Sequence, residues 1–397
     1  MTVVSTADAN AARSGRIAHA RWSSDERWRS GNRHGVAVRG GSIRISHPVG
    51  VRRFDDPYAS GKARRYAYGR WVSPVVRPGF RFREMIPSWS ARSSKGTWLQ
   101  PEVRVRTRSG RLGGWDVLAH WQGRLRGLHD ATLGSQGDDV AGVAVDTVRT
   151  HSPAKAWQLR LTLYRRAGTH RTPVVSSVTG VASTAPPARN RASAPGPARG
   201  KVLHVPRYSQ MIHQGHYPQW GGGGEAWCSP TSVAMVLDAW GRGPTPKERA
   251  WVKNSYRDPQ VEHAARMTFD HRYDGTGNWA FSAAYAGTRG LDAFVTRLPS
   301  LRAAERYIKA RVPLVLSLAF DPGELDGAPI SSSNGHLLVL RGFTKSGRPV
   351  VNDPAAPRNR SVRRVYSRAQ LERAWITSTA GTAYVMHPAR VELPRLG

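Results

Sequence analysis

A segment dominated by proline, alanine and arginine divides the chain at residues 182–200, which read ASTAPPARNRASAPGPARG. Apolar periodicity is lost across this segment, and its prolines favour a semi-extended linker. At roughly 100–200 residues per domain, the chain of 397 residues has room for a domain on each side of it. The segment therefore predicts two domains with separate cores.

The part before the linker is predicted to be all-β over residues 51–181. Polar and apolar residues alternate over Glu102–Arg106 and again over Trp157–Leu163, and this period of two is typical of half-buried strands. Turn signals such as Ser109-Gly110 separate the apolar runs. Short strands separated by turns predict a sandwich-like domain. The polar residues 1–50, with Trp22 and Trp28 as isolated anchors, are interpreted as a poorly ordered lead-in.

Five tryptophans within the β-rich region have two interpretations. They either pack its core or form a surface that stacks on sugars of a cell-wall polymer. These residues are Trp71, Trp89, Trp98, Trp115 and Trp121.

The part after the linker, residues 201–397, mixes helical and strand patterns and is predicted to be α+β. Apolar residues recur at near-helical spacing over Ser229–Trp240, with Pro230 in the first turn and Gly241 as a stop signal. A second helix is predicted over Leu301–Arg311, and Thr245–Glu248 carries the capping-box signature of a third. Strands are predicted over Pro313–Phe320, His336–Gly342, Pro349–Asn352 and Ala383–Met386.

The chain is strongly basic, with 60 Lys and Arg against 27 Asp and Glu and a formal net charge of +33. This excess lies mainly before residue 200. It either attracts an anionic cell-envelope polymer or reflects a general drift in composition. No stacking motif or arginine-rich recognition helix indicates a specific nucleic-acid partner. No apolar run approaches the length of a membrane span, and the first residues show no secretion signal.

The chain has one cysteine, Cys228. One cysteine excludes an intramolecular disulfide framework, cysteine-rich zinc sites and cysteine-ligated iron–sulfur clusters. Cys228 follows Gly221–Gly224 and opens the predicted helix, where free N–H groups and the helix dipole favour the nucleophilic thiolate. The alternative is an inert, buried cysteine.

A thiolate nucleophile needs a base and a group that orients the base. His336 opens one predicted strand and Asp353 ends the next, and a turn at Lys345–Arg348 separates the two strands. A hairpin would bring His336 and Asp353 together near one end. Taken singly, His336 is as well explained as an ordinary strand residue and Asp353 as a turn former.

Acyl transfer also needs donors for an oxyanion. The N–H of Cys228 is one candidate, and Gln210 is the best placed side-chain amide, in competition with Gln214 and Gln219. His213 and His216 have a spacing that could serve a metal. No third ligand lies at a suitable spacing, so no metal and no cofactor are predicted.

The segments VPRYSQ, GGGGEAWCSPTSVAMVL, GHLLVLRGF and VNDPA resemble the peptidase family 39-like cysteine peptidases of the papain-like clan, which include bacteriocin-processing peptidases. They look most like the actinobacterial secreted branch, in which a β-rich region precedes the peptidase domain. The match covers about residues 201–390 and, more weakly, residues 50–180. In two respects the sequence departs from this pattern, with Ser229 where the family often has Gly and a long gap between Gln210 and Cys228.

The resemblance implies a papain-like fold, in which the helix that bears the cysteine packs on an antiparallel sheet. It implies Cys228 as the nucleophile, His336 as the general base and acid, Asp353 as the group that orients His336, and Gln210 as the oxyanion-hole residue. It also implies an extracellular or cell-wall associated protein.

We therefore predict a monomeric cysteine peptidase that hydrolyses peptide or amide bonds of a peptide or protein substrate through a thioester. An amidase or acyl transferase acting on cell-wall peptide would use the same triad, so the residues leave that alternative open. A catalytically dead, basic protein that binds the envelope or another polyanion is the alternative from a different class.

Overall fold

The computed structural model describes residues 15–134, 136, 140–184 and 192–394, and two compact units divide them. His19–Ala182 and Ala265–Phe294 form the first, called the β-rich unit. The second, called the Cys228 unit, consists of the described residues up to Ala18, within Ser183–Ala264 and within Val295–Gly397.

The strands of the described residues are numbered in chain order. They are β1 (Ile17–Trp22), β2 (Asn32–His34), β3 (Val36–Arg39), β4 (Ser42–Ile45), β5 (Gly50–Phe54), β6 (Arg64–Val72), β7 (Phe82–Arg92), β8 (Thr97–Thr107), β9 (Asp116–Val117), β10 (Ala119–His120), β11 (Ala131–Thr132), β12 (Ala141–Ala144), β13 (Thr147–Arg166), β14 (Val174–Ser183), β15 (Asp292–Arg297), β16 (Leu314–Phe320), β17 (Ser333–Phe343), β18 (Pro349–Asn352), β19 (Arg363–Val365) and β20 (Thr382–His387).

The described residues contain fewer helices than strands, and the helices are also numbered in chain order. They are α1 (Asp25–Arg29), α2 (Cys228–Ala239), α3 (Gln260–Thr268), α4 (Trp279–Thr288), α5 (Leu301–Lys309) and α6 (Arg368–Thr379). Short 3-10 turns cover Gln210–His213, Gly224–Ala226 and Asn359–Ser361. Among the described residues, no helix has both the length and the apolar character that a membrane span needs.

A twelve-stranded sheet dominates the β-rich unit, and the central strand order is β2-β6-β13-β7-β14-β4-β3. The 20-residue strand β13 changes partners along its length. Val148 and Arg149 pair with β7, whereas Ala154–Arg165 pairs with β8. Because one long strand joins several neighbours, the strands predicted to form a sandwich-like domain belong mainly to one continuous sheet, beside the two-stranded pair β10-β11.

Tryptophans fill the core of this unit. Four of the five that the sequence singled out are at most 1% exposed: Trp71, Trp89, Trp98 and Trp121. Trp115 is partly exposed and lies between the guanidinium groups of Arg104 and Arg160, each 4.4 Å from its ring. Core packing is therefore the role of the buried four, and they present no ring faces to a sugar.

The segment before residue 51 holds regular structure from Ile17 onward, which differs from the poorly ordered lead-in predicted over residues 1–50. Trp28 on α1 is fully buried, and its carbonyl oxygen accepts a 2.9 Å hydrogen bond from Nε1 of Trp71. Trp22 packs edge-on against Trp71, with ring centroids 5.4 Å apart. Two buried tryptophans remove enough apolar surface from water to fix an otherwise polar segment. Residues 1–14 lie outside the described part.

Residues 265–294 belong to the β-rich unit, although the sequence placed all of 201–397 in one domain. Ala280–Gly287 of α4 is buried, and Phe281 packs against Trp89 of β7 with ring centroids 6.1 Å apart. An apolar helix without a polar face must be covered, but its sequence does not say which sheet covers it.

The Cys228 unit is built on a six-stranded sheet in the order β15-β20-β16-β17-β18-β19. Helix α2 lies against β17, where Oγ of Ser232 donates to the carbonyl oxygen of Leu337 at 3.2 Å. Gly241 adopts a φ of 64° after the last turn of α2, so the predicted stop signal operates. Helices and antiparallel strands occur together, as the predicted α+β class requires.

The capping box at Thr245–Glu248 forms, but it does not start a helix. The amide of Thr245 donates to the Glu248 carboxylate at 2.7 Å, and the chain continues in turns. Residues 246–250 read PKERA and offer little apolar surface to bury, so tertiary packing does not offset the cost of nucleating a helix.

The described end of the predicted linker, residues 192–200, is bound to the Cys228 unit. Glu305 of α5 accepts hydrogen bonds from the amides of Gly196 and Ala198 at 2.8 and 3.0 Å. Glu372 of α6 accepts from the amide of Ser193 at 2.8 Å. Residues 185–191 of the linker lie outside the described part.

Candidate active site

Cys228 stands at the first position of α2, one residue after the turn Gly224–Ala226. The preceding residue, Trp227, is fully buried, and its Nε1 donates to the carbonyl oxygen of Trp220 at 2.7 Å. This anchor fixes where α2 begins. Cys228 itself is partly exposed. The amides of the first turn have no acceptor within the helix, and together with the helix dipole they favour negative charge beside Cys228.

His336 lies between Cys228 and Asp353. Its Nε2 is 2.8 Å from Oδ1 of Asp353, which leaves Nδ1 for the hydrogen bond between the ring and Cys228. His336 is 2% exposed and Asp353 is fully buried. The ring therefore contacts a thiol on one side and a carboxylate on the other, away from bulk water.

The register of two strands explains why His336 and Asp353 meet. Val339 of β17 is paired with Asn352, the last residue of β18. The next residue, Asp353, therefore lies level with Leu338. Because side chains alternate between faces along a strand, His336 and Leu338 share one face of the sheet. The predicted hairpin thus brings the two side chains to the same end and the same face.

Asp353 is held as an anion by three donors. Oδ2 accepts from the hydroxyl of Tyr366 at 2.7 Å, and Oδ1 accepts from the amide of Ala355 at 3.1 Å in addition to His336. Burial alone would raise the pKa of Asp353. The positive charge of His336 and these hydrogen bonds outweigh burial and lower the pKa below its ordinary value.

His336 is held in its protonated form. Burial alone would lower its pKa, but the charge and hydrogen bond of Asp353, aided by Cys228, raise it to about 10. A protonated imidazole beside a thiol is the arrangement that stabilises a thiolate nucleophile.

Gln210 is the buried residue among the three glutamines that are candidates for the oxyanion hole. It lies beside the segment that leads to Cys228. It is 4% exposed, and its Nε2 donates to the carbonyl oxygen of Glu225 at 2.6 Å. Its amide donates to the carbonyl oxygen of Pro354, next to Asp353, at 2.8 Å. Gln214 and Gln219 are exposed.

Two contributing residues were missed in the sequence. Tyr366 lies between β19 and α6, and no local pattern connects it to Asp353.

Glu262 of α3 lies 2.7 Å from Nδ1 of His213 and 3.0 Å from Nδ1 of His216. A third candidate ligand, which the spacing did not reveal, thus lies beside the two histidines. Only the tertiary fold brings Glu262 to the two histidines.

Replacing Tyr366 by phenylalanine should lower the free energy of unfolding by about 1.5–3 kcal/mol, because a buried carboxylate loses one of its donors. The turnover number should fall as well, since Asp353 then holds His336 less firmly. Denaturant unfolding and peptide hydrolysis measure the two effects. Tyr58→Phe, at a residue 38% exposed, is the control and should change neither. Equal behaviour of the two variants would contradict the role given to Tyr366.

Comparison with known proteins yields two family matches. The model described as Peptidase C39 N-terminal domain matches residues 18–183, and the Peptidase_C39 like family model matches residues 202–382. No curated protein matches the sequence. Among solved structures, "Structure of infectious bursal disease virus Gx strain" is 8% identical over 43% of this chain and 33% of that chain. Its TM-score of 0.19 is too low to carry an argument about the fold.

The two family matches follow one another and together account for most of the sequence. The first covers the strands of the β-rich unit, and the second contains Cys228, His336 and Asp353. Both descriptions name the same group of peptidases. The chain belongs to the peptidase C39-like family, in its actinobacterial form.

Proposed function

We propose that the protein is a cysteine peptidase that cleaves peptide or amide bonds through Cys228, His336 and Asp353. The observation that carries the proposal is the buried imidazole of His336, hydrogen bonded to Cys228 and, at 2.8 Å, to Asp353. The helix that bears Cys228 packs on an antiparallel sheet, which supports a papain-like arrangement. The family match over residues 202–382 favours the same activity.

The reaction starts from a Cys228 thiolate and a protonated His336. The sulfur attacks the carbonyl carbon of the scissile amide, and the carbonyl oxygen becomes an oxyanion. The intermediate then collapses, the C–N bond breaks, and His336 gives its proton to the leaving amine. This step leaves a thioester on Cys228 and a neutral imidazole.

Hydrolysis of the thioester reverses the proton transfers. Neutral His336 takes a proton from water, and the resulting hydroxide attacks the thioester carbonyl. The C–S bond breaks, so that the carboxylic acid leaves and the thiolate–imidazolium pair is restored. Asp353 remains ionised throughout, holds the ring by Nε2 and stabilises the positive charge each time it forms.

The oxyanion is stabilised by the backbone N–H of Cys228 and by the side chain of Gln210. The first N–H of a helix has no intrahelical acceptor and is free to donate to substrate. One hydrogen of the Gln210 amide is directed to Glu225 at 2.6 Å, which fixes the side chain and leaves the second hydrogen for the oxyanion.

An unbiased peptide library tests the proposed activity. Full-length protein and its Cys228→Ala variant are incubated with the library, and mass spectrometry identifies the new termini. We expect cleavage products from the wild type alone. Products that are absent from both reactions, or equal in both, would refute a peptidase that depends on Cys228.

Transfer to an amine is the second outcome that the same triad allows, because an amine can replace water in attacking the thioester. Repeating the library experiment with a labelled amine separates the two activities. Unlabelled carboxyl termini indicate hydrolysis, whereas incorporation of the label indicates transfer to an amine acceptor.

We infer an extracellular or cell-wall location, supported by the actinobacterial form of the family. The net charge of +33 also favours association with an anionic envelope. Binding to isolated wall material should weaken steeply as salt is added. Salt-independent binding would remove the electrostatic part of this proposal.

A further inference from the structure

Three side chains outside the proposed triad converge on one point of the Cys228 unit. Nδ1 of His213 and Nδ1 of His216 lie 2.7 and 3.0 Å from the same oxygen, Oε1 of Glu262. The side chains of His213 and Glu262 are fully buried, and that of His216 is 16% exposed. All three potential ligand atoms lie within 4.8 Å of one another.

Hydrogen bonds alone account poorly for this cluster. If both rings donate to Oε1, the second oxygen, Oε2, remains buried without a donor among the described residues. An anionic oxygen without a partner is costly to bury. Nε2 of His213 also lacks a partner among those residues. In a neutral ring that donates from Nδ1 it carries a lone pair, and in a ring that binds a metal through Nδ1 it carries a hydrogen, so it is left unpaired in both cases.

A divalent cation would satisfy the same atoms. It would accept the lone pairs of both Nδ1 atoms and either or both carboxylate oxygens. Zinc favours imidazole and carboxylate ligands at about 2.0–2.2 Å, which places adjacent tetrahedral ligand atoms about 3.3 Å apart. The carboxylate therefore needs to withdraw from the rings by only a few tenths of an ångström. Water would reach a fourth position from the side of His216, the most exposed of the three side chains.

We propose that His213, His216 and Glu262 form a zinc-binding site. His213 ends the turn Gln210–His213, and its carbonyl oxygen accepts from the amide of His216 at 2.9 Å. A Cβ on Gly224 would lie only 2.2 Å from the carbonyl carbon of His213, so this turn and the chain leading to Cys228 are in close contact. The ion would join the turn that carries Gln210 to α3 through Glu262, and the turn in turn contacts the chain leading to Cys228.

Packing around His216 supports a fixed ligand. The ring of Tyr256 stacks on the imidazole of His216 at a centroid distance of 3.4 Å and an angle of 7°. Such stacking restricts the rotation of the most exposed of the three side chains. A ligand held in one orientation loses less freedom when the ion binds.

The test uses the full-length Cys228→Ser variant, because a thiolate beside an imidazole is itself a potential zinc ligand. ZnCl₂ is titrated into metal-free protein, and bound metal is counted after removal of excess ion. We expect one zinc per chain, and a rise in Tm of about 5 °C or more when zinc exceeds its Kd about 100-fold. EDTA should reverse the rise.

Three further variants in the same background locate the site. His216→Ala and Glu262→Gln should weaken zinc binding at least about 10-fold, whereas His204→Ala, at an exposed histidine, should not. Should Glu262→Gln fail to fold, CoCl₂ added to the folded parent protein gives a second measurement. Visible bands of tetrahedral cobalt without a sulfur charge-transfer band are then expected.

Lack of zinc binding, or binding that His216→Ala leaves unchanged, would overturn the zinc site and leave a hydrogen-bonded cluster. Neither result depends on peptide cleavage. Failure of the zinc proposal is therefore separate from failure of the proposed peptidase activity, which retains Cys228, His336 and Asp353.

Discussion

Replacing Cys228 by alanine should abolish peptide hydrolysis, with kcat lowered by about 10⁴-fold or more. Without sulfur no thioester forms, and a triad that acts as a unit loses nearly all of its effect when its nucleophile is removed. Initial rates on a cleaved peptide, with active protein determined independently, measure the change.

The same variant should fold normally. Cys228 is partly exposed and forms no disulfide, so the free energy of unfolding should stay within about 1 kcal/mol of the wild type. Ser332→Ala, at an exposed residue of the same unit, is the control and should retain full activity. Activity that persists in Cys228→Ala would show that another group performs the reaction.

Replacing Asp353 by asparagine should lower kcat/KM by about 10²–10⁴-fold. The amide has nearly the same volume as the carboxylate but no charge, so it neither stabilises the imidazolium nor reliably selects the ring nitrogen that carries the proton. Asp321→Asn makes the same chemical change at an exposed position of the Cys228 unit and should be silent.

The pH profile distinguishes this effect from a general loss of structure. In the wild type the pKa of His336 is about 10, largely because Asp353 opposes the effect of burial. Activity that needs the imidazolium should therefore persist into alkaline pH and decline near that value. In Asp353→Asn the pKa of His336 falls, so the alkaline decline should move to lower pH.

The free energy of unfolding should change with pH in the same direction as the activity. A histidine whose pKa is raised by folding contributes stability that is complete below its ordinary pKa of about 6.5 and is lost as the pH rises towards about 10. The difference in unfolding free energy between wild type and Asp353→Asn should therefore shrink over this interval. The coupling of His336 and Asp353 would be contradicted if the difference in unfolding free energy stayed constant over this interval and the alkaline decline in activity did not move.

Local rules sufficed to predict the central features of the site. The position of Cys228 follows from a glycine run and a helix start, and the proximity of His336 and Asp353 follows from a hairpin whose register the short turn restricts. These features depend on neighbours in sequence. The same locality explains why the boundaries of α2, α5, β16 and β18 lie within a few residues of their predicted positions.

Features that depend on distant segments were not predicted. Tyr366 reaches Asp353 through the pairing of β18 with β19, and Glu262 reaches His213 through tertiary packing. Helix α4 is buried along Ala280–Gly287 and so lacks the amphipathic period that marks a surface helix. The structured segment after Ile17 is fixed by two tryptophans that find their partners only in the folded β-rich unit.

The central claim is that His336 activates Cys228 as a nucleophile. The most direct measurement is the rate at which a peptidyl chloromethyl ketone labels Cys228 at pH 6, followed by intact mass in the wild type and in His336→Ala. The account predicts rapid labelling of the wild type at one site and labelling of His336→Ala at least about 100-fold slower. Equal rates in the two proteins would contradict it.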